Sequence, residues 1–397
     1  MSNMKSLLSN IKYFLPGILL FYFNLDVAIW SAASMNTAPI MYGVQLLALL
    51  YFFRKQVVQQ LNSTLLLVLS AVTLLVALVH GFTSPTYIYK IFLYTLIFMI
   101  IRSSEFEYLQ KSFYKVAFFF AAVSLLFYIA CDMFGMHFLL PVGFYGGAGA
   151  PYATNFLYTQ LEDWSVRNTG IFREPGVYQI YLNIALLFYY NQNRDKIITP
   201  TTAVLALAVI TTMSSAGIVV ALAIIGYQFM QQRNRSFASF LLFAVFAVVL
   251  YVLIMASFNQ IFYKLMLGTE ESGSAFARYY SLIVPMRMWL DYPLFGCGAA
   301  EFNDLIYFYP TASGERMNPN LVTNIITVNF ATSGLIVGLF YLFGTIKGAA
   351  TLAKNYKIPI IASALMLVMF SCEGIMYSGI FNLILLYGLC VNKKSLI

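Results

Sequence analysis

The stretch "RNTGIFREPGVYQIYL", residues 167–182, sets two arginines and a glutamate directly ahead of an apolar run. Pro175 suits the first turn of a helix, where its missing N–H would have no partner anyway. Glu174 then stands at the positive end of that helix's dipole, and Asn168-Thr169-Gly170 is turn chemistry. The stretch reads as a loop folding down into a span over 174–191. Apolar runs long enough to cross a hydrocarbon core recur from end to end of the 397 residues. Only 10% of the chain is charged, against about 25% in a soluble domain, and the mean hydropathy is +0.78. These runs do not alternate as the strands of a membrane β-barrel would. The expected class is an all-α polytopic membrane protein, a single integral membrane domain over 1–397.

Twelve spans are expected: 13–32, 37–53, 61–80, 85–101, 113–134, 174–191, 197–212, 215–231, 237–256, 320–343, 358–371 and 375–391. No small-residue cleavage site follows the first, so it reads as an anchor. Sixteen of the 23 lysines and arginines fall in short loops on one face, which makes that face cytoplasmic and places both termini there. The net charge of +8 belongs to those loops, and no nucleic-acid patch is read in it. Two long loops, 135–173 and 257–319, then lie on the periplasmic side with 12 of the 15 acids. Loops of that length carry function or are disordered, and their aromatics and glycines favour order and function. Asp26, Lys90 and Asp132 sit in the outer halves of spans, with Lys90 close enough to snorkel outward.

The four cysteines show no metal or redox spacing, and no cofactor motif appears. In the second loop, Pro285 is expected to split "SAFARYYSLIVPMRMWL" (274–290) into two short helical pieces with Arg278 and Arg287 on one side. "YPLFGCGAAEF" (292–302) then turns on Gly296 and Gly298. Arginine offers a planar, permanently charged fork to phosphate oxygens, and such groups stabilise a departing diphosphate. Blander readings stand beside this one. Glu174 as a helix cap paired to Arg173 is one, and an Arg287–Asp291 salt bridge at i,i+4 is the other. Phe138, Phe144, Tyr145, Tyr152, Phe156, Tyr158 and Trp164 in the first loop suit either sugar stacking or an interfacial belt.

Taken in order, these segments resemble bacterial O-antigen polymerases of the Wzy family. "RNTGIFREP" (167–175) is similar to their Arg-x-x-Gly-x-Phe-x-Glu-Pro segment, and "TTMSSAGIVVALA" (211–223) to the hairpin that follows. "ARYYSLIVPMRMWLDYPLFGCGAAEF" (277–302) looks like their second outer loop, with Arg287-x10-Gly298. "NLVTNIITVNFATSGLIVGLF" (320–340) looks like the next span. The resemblance implies a GT-C-like inner-membrane glycosyltransferase with a periplasmic active site. It would join undecaprenyl-diphosphate-linked oligosaccharide repeat units by inverting transfer, with no cofactor or metal and room for a chain-length regulator protein as partner. It implies Arg278 and Arg287 on the diphosphate and Glu174 as proton acceptor. Lys90, Arg167, Arg173, Tyr279 and Glu373 are implied as substrate-binding groups, Glu373 being the second choice of base.

O-antigen ligases share this outline, but they carry a histidine before the later span, where "GERMNPNLVTN" (314–324) has none. A secondary transporter would place its site near the midplane on broken helices in paired repeats, and a channel would show polar rings along a pore. The charges here gather in one outer layer instead.

Overall fold

The computed structural model describes residues 2–32, 34–60, 64–103, 105–145, 151–161, 167–194, 196–231, 244, 248, 273–310, 317, 322–352, 359–375 and 377–390. The chain packs as two compact units built from interleaved stretches. The first takes Met1–Phe52, Ser104–Asn259 and Ser378–Ile380; the second takes Phe53–Ser103, Gln260–Tyr377 and Phe381–Ile397. Eleven of the twelve expected spans fall on helical stretches, and the ninth, 237–256, lies outside the described residues except for 244 and 248. Two described helical segments, Phe106–Met133 and Ile325–Leu352, are long and apolar enough to cross a membrane; the other apolar helices are shorter.

The first unit contains α1 (Ser2–Phe21), α2 (Ala28–Ala32), the first part of α3 (Ser34–Gln60), α6 (Phe106–Phe127), α7 (Pro175–Gln192), α8 (Pro200–Thr211) and α9 (Ser215–Gln231). Every residue of α7 from Pro175 to Tyr190 is buried, which accounts for a helix that is apolar on all faces. α1 and α6 approach closely at Gly17, whose N–H donates to Ser112 Oγ at 2.9 Å. Ser112 Oγ donates in turn to Phe14 O at 3.2 Å, so one hydroxyl serves the backbone that Pro16 interrupts.

The first span is not one helix. α1 stops at Phe21 because Asn24 Nδ2 donates to the last carbonyls, Leu20 O at 3.2 Å and Phe21 O at 3.0 Å. Asn24 Oδ1 then accepts the Asp26 N–H at 2.9 Å. A side chain that offers the backbone local partners ends the helix there. The loop after α6 also departs from an all-α fold. It forms an antiparallel sheet in the order β1 (Val142–Tyr145), β2 (Pro151–Thr154), β3 (Thr159–Leu161). Phe144 lies opposite Tyr152 and their rings stack at 5.2 Å, a cross-strand pair of the kind that stabilises sheets. Tyr158 is fully buried and donates to Asp132 Oδ2 at 2.7 Å, while Gln160 Nε2 donates to Asp132 Oδ1 at 2.7 Å. Asp132 therefore anchors the sheet. Of the aromatics suited to sugars, Phe138, Tyr145 and Phe156 remain exposed; Trp164 lies outside the described residues.

The second unit contains α4 (Thr64–Val79), α5 (Thr86–Ser103), α10 (Gly273–Asp291), α11 (Phe302–Leu305), α12 (Ile325–Leu352), α13 (Pro359–Cys372) and, from Phe381 on, α14 (Gly379–Cys390). Pro285 does not split its segment; it sits inside one continuous helix, α10. The carbonyl that a residue 285 N–H would have bonded is Ser281 O. Thr327 Oγ1 of α12 donates to that carbonyl at 2.7 Å, so the orphan is satisfied from a neighbouring helix. Thr327→Val keeps the shape and removes the donor. It is expected to lower the unfolding free energy of the purified protein by about 1–3 kcal/mol, the cost of an unsatisfied buried carbonyl. An unfolding titration unchanged from wild type would show that Ser281 O finds another partner.

Candidate functional site

In the second unit, the segment after α10 is built into α12 through the backbone. Gly334, inside α12, takes φ 78° and ψ −170°, which breaks the helical ladder. Leu335 N–H, which would bond Ala331 O in an unbroken helix, donates instead to Pro293 O at 2.9 Å. Ala331 O accepts from Cys297 N–H at 2.8 Å, and Thr332 O from Gly298 N–H at 3.2 Å. The expected turn on Gly296 and Gly298 is present, with φ of 72° and 90°. The link between α4 and α5 holds the same segment. His80 Nε2 lies 3.1 Å from Phe295 O, and Ala299 N–H donates to Tyr87 Oη at 2.9 Å. Burial pushes the Cys297 thiol up to about 12, so that thiol is inert. Cys131, Cys297 and Cys390 are free, and among the described residues no His/Cys/Asp/Glu group could hold a metal.

Arg278 stands near the other end of α10. Its Nη2 lies 3.7 Å from Glu373 Oε1, the residue following α13, with side chains 35% and 14% exposed respectively. At that separation the contact is between charges and is too long for a hydrogen bond. A mostly buried carboxylate thus steadies a guanidinium that still reaches solvent. The adjacent Tyr279 ring is 58% exposed and packs edge-on against Tyr280 at 5.1 Å.

Arg287 does not share that face. Nine residues separate the two arginines, which at 100° and 1.5 Å per residue puts them on opposite sides of α10 and about 13 Å apart along its axis. This corrects the expectation of arginines on one side. Arg287 Nη1 donates to Pro310 O at 3.3 Å, and the anticipated Arg287–Asp291 bridge is absent among the described residues. Asp291 accepts from Tyr309 Oη instead. Lys90 does not snorkel. It is 2% exposed, donates to Asn329 Oδ1 of α12 at 2.8 Å, and lies 5.8 Å from the Tyr341 ring centroid.

The first unit carries a second polar cluster where the opening stretch meets α7. Gly170 has φ 58°, and a Cβ there would stand 2.8 Å from the Tyr178 ring, so this position of the turn requires glycine. Arg167 Nε donates to Thr212 O at 3.0 Å and Asn168 N–H to Thr211 O at 3.0 Å. Both groups serve the carbonyl end of α8, where a cation also suits the dipole. Glu174 is the N-cap residue of α7, but its side chain makes no capping bond. Its Oε1 pairs with Arg173 Nη1 at 3.3 Å, and 39% of the side chain is exposed.

Behind this pair lies Asp26, 3% exposed in the turn between α1 and α2. Tyr181 Oη donates to Asp26 Oδ2 at 2.8 Å and lies 2.7 Å from Ser378 Oγ. The Arg173 guanidinium also faces the Asp26 carboxyl group. One guanidinium therefore serves two carboxylates. Tyr181 and Ser378 were not anticipated as site residues. Tyr181 follows Glu174 by seven positions, two helical turns, which places it on the same face; nothing comparable marked Ser378.

Residues 200–342 match the family described as O-antigen ligase. No curated protein and no solved structure matches the chain. The matched region holds Arg278, Arg287 and the loop welded into α12, and leaves out Lys90, Arg167, Arg173, Glu174 and Glu373. Members of that family are membrane enzymes acting on polyprenyl-linked sugars. Over residues 200–342, about a third of its length, the chain is similar to that family.

Proposed function

We propose that the protein is a surface-polysaccharide polymerase of the bacterial inner membrane. It takes a glycan from undecaprenyl diphosphate and transfers it, with inversion, to the sugar of the next lipid-linked repeat unit on the periplasmic side. The observation that carries this reading is the Arg278–Glu373 pair. Two residues singled out near opposite ends of the second unit's 260–377 stretch meet there, and the arginine keeps access to solvent. Arg278 binds the donor diphosphate through its planar fork and stabilises the charge that develops as the glycosyl bond breaks. Glu373 is its positioning residue. Exposed Tyr279 offers a ring face to a sugar. Arg287, on the other side of α10, holds the 287–310 loop, and Arg167 holds the end of α8.

Arg173 already faces the Glu174 and Asp26 carboxyl groups, so it is a poor diphosphate site, and Glu174, partly exposed beside it, is the proton acceptor for the attacking hydroxyl. Glu174→Gln is expected to cut chain elongation by about 100-fold or more, within the range assigned to a general base. Folding should survive, because no capping bond is lost. The measurement is glycan length on cells that depend on this protein, with membrane protein level as control. Wild-type chain lengths would reassign Glu174 to helix positioning.

A ligase reading is favoured by the description of the matched family. Cells lacking the protein separate the two. The polymerase reading expects single repeat units still displayed at the surface. Long lipid-linked glycans left unattached would make the protein a ligase. A chain-length regulator protein remains the expected partner of the polymerase.

A further inference from the structure

Along the first unit runs a groove of about 910 Å³ lined by Ile11, Phe14 and Ile18 of α1, by Tyr22 just after it, and by Phe119 and Lys115 of α6. Its volume is that of a ligand site. The α1 residues fall three or four apart and so form one stripe. From Ile11 to Tyr22 the helix rises about 16 Å, close to half of a hydrocarbon core of about 30 Å. The groove therefore matches one leaflet's acyl chain in length as well as in chemistry.

One end of it is basic. Lys115 stands in the lining, its Nζ 5.0 Å from the Tyr13 ring centroid and 5.9 Å from that of Phe14. Lys111 lies one turn earlier on α6, on the same face, and Lys12 belongs to the same turn of α1 as Ile11. Positive charge at the end of an apolar groove suits a phosphodiester attached to a hydrocarbon tail. We infer that this groove binds an anionic phospholipid, with an acyl chain along α1 and α6 and its phosphate at Lys115 and Lys111. The inference is independent of the proposed glycosyl transfer.

The test uses the purified full-length protein, delipidated in mild detergent and titrated with phosphatidylglycerol or phosphatidylcholine, bound lipid being counted by native mass spectrometry. Wild type is expected to prefer phosphatidylglycerol. Each lysine near a membrane surface contributes about fivefold in binding, so Lys111→Glu/Lys115→Glu should weaken phosphatidylglycerol by more than tenfold and leave phosphatidylcholine unaffected. Ile18→Trp, which fills the groove without touching charge, should reduce retention of both lipids. Circular dichroism checks the fold, and Lys115→Gln replaces the double variant if that one unfolds. Equal affinity of the wild type for the two lipids would overturn the inference. So would undiminished phosphatidylglycerol binding by the lysine variants or by Ile18→Trp.

Discussion

Arg278→Ala is expected to reduce glycan elongation by about 100- to 1,000-fold, the effect of removing one donor aimed at developing charge, while the protein still accumulates in the membrane. Arg278 is a third exposed and contacts Glu373 at 3.7 Å. A contact of that kind, reaching solvent, contributes about 0–1 kcal/mol to folding, so stability is not where its loss should appear. Arg278→Lys should recover little, because an ammonium is a point charge without the paired donors of the fork. Arg287→Ala is expected to behave differently despite the identical side chain. Its partner is Pro310 O and it lies on the far side of α10. Elongation in that variant should fall several-fold at most, through loosening of the 287–310 loop. Equal, complete losses in both variants would mean that the faces of α10 do not separate their roles.

The second large effect is structural. Gly334→Ala should prevent the protein from accumulating in the membrane, or lower its unfolding free energy by more than about 3 kcal/mol. The backbone at Gly334, φ 78° and ψ −170°, lies in a region open essentially to glycine alone and costs other residues about 1–3 kcal/mol. A Cβ there would also overlap Leu294 O. Relieving that overlap pushes the 293–298 segment away from α12. The bonds from Leu335 N–H, Cys297 N–H and Gly298 N–H are then lost together, each leaving buried groups unpaired at about 1–3 kcal/mol. Membrane yield and unfolding measured on Gly334→Ala check this. Wild-type values for both would show that the α12 break is not required.

The same break bears on the transporter alternative. Helices interrupted in the membrane commonly expose backbone groups to a substrate or ion. At Gly334 the freed carbonyls of Ala331 and Thr332 are instead taken by the protein's own loop.

Most of the helix positions were legible in the sequence, because lipid-length apolar runs carry a strong signal. What escaped the sequence depended on partners far away in the chain. Pro285 reads as a helix breaker by itself; only Thr327, forty-odd residues on, keeps α10 continuous. Asn24 and Asp26 lie in an apolar run that reads as a span, yet the Asn24 side chain caps α1 three residues before it. Three-residue to four-residue strands in a loop rich in glycine and aromatic residues give too short a period-2 pattern to separate from turns. At the candidate site, Arg173–Glu174 was legible because the residues are adjacent, and Arg278 and Glu373 were each legible as charges near apolar spans. Their meeting was not, since nothing in sequence links α10 to the end of α13. The opposite faces of Arg278 and Arg287 could have been read once α10 was taken as a single helix, because nine residues are two and a half turns.

The central claim is that the Arg278 guanidinium binds substrate and is not present merely to neutralise Glu373. Exchanging the two charges in one protein, Arg278→Glu with Glu373→Arg, tests it most directly, with glycan chain length and membrane level read side by side. The account predicts normal membrane level and elongation as low as in Arg278→Ala, because the pair is restored while the fork has left its place. Recovery of wild-type chain length by the exchanged pair would contradict it and reduce Arg278–Glu373 to a structural ion pair.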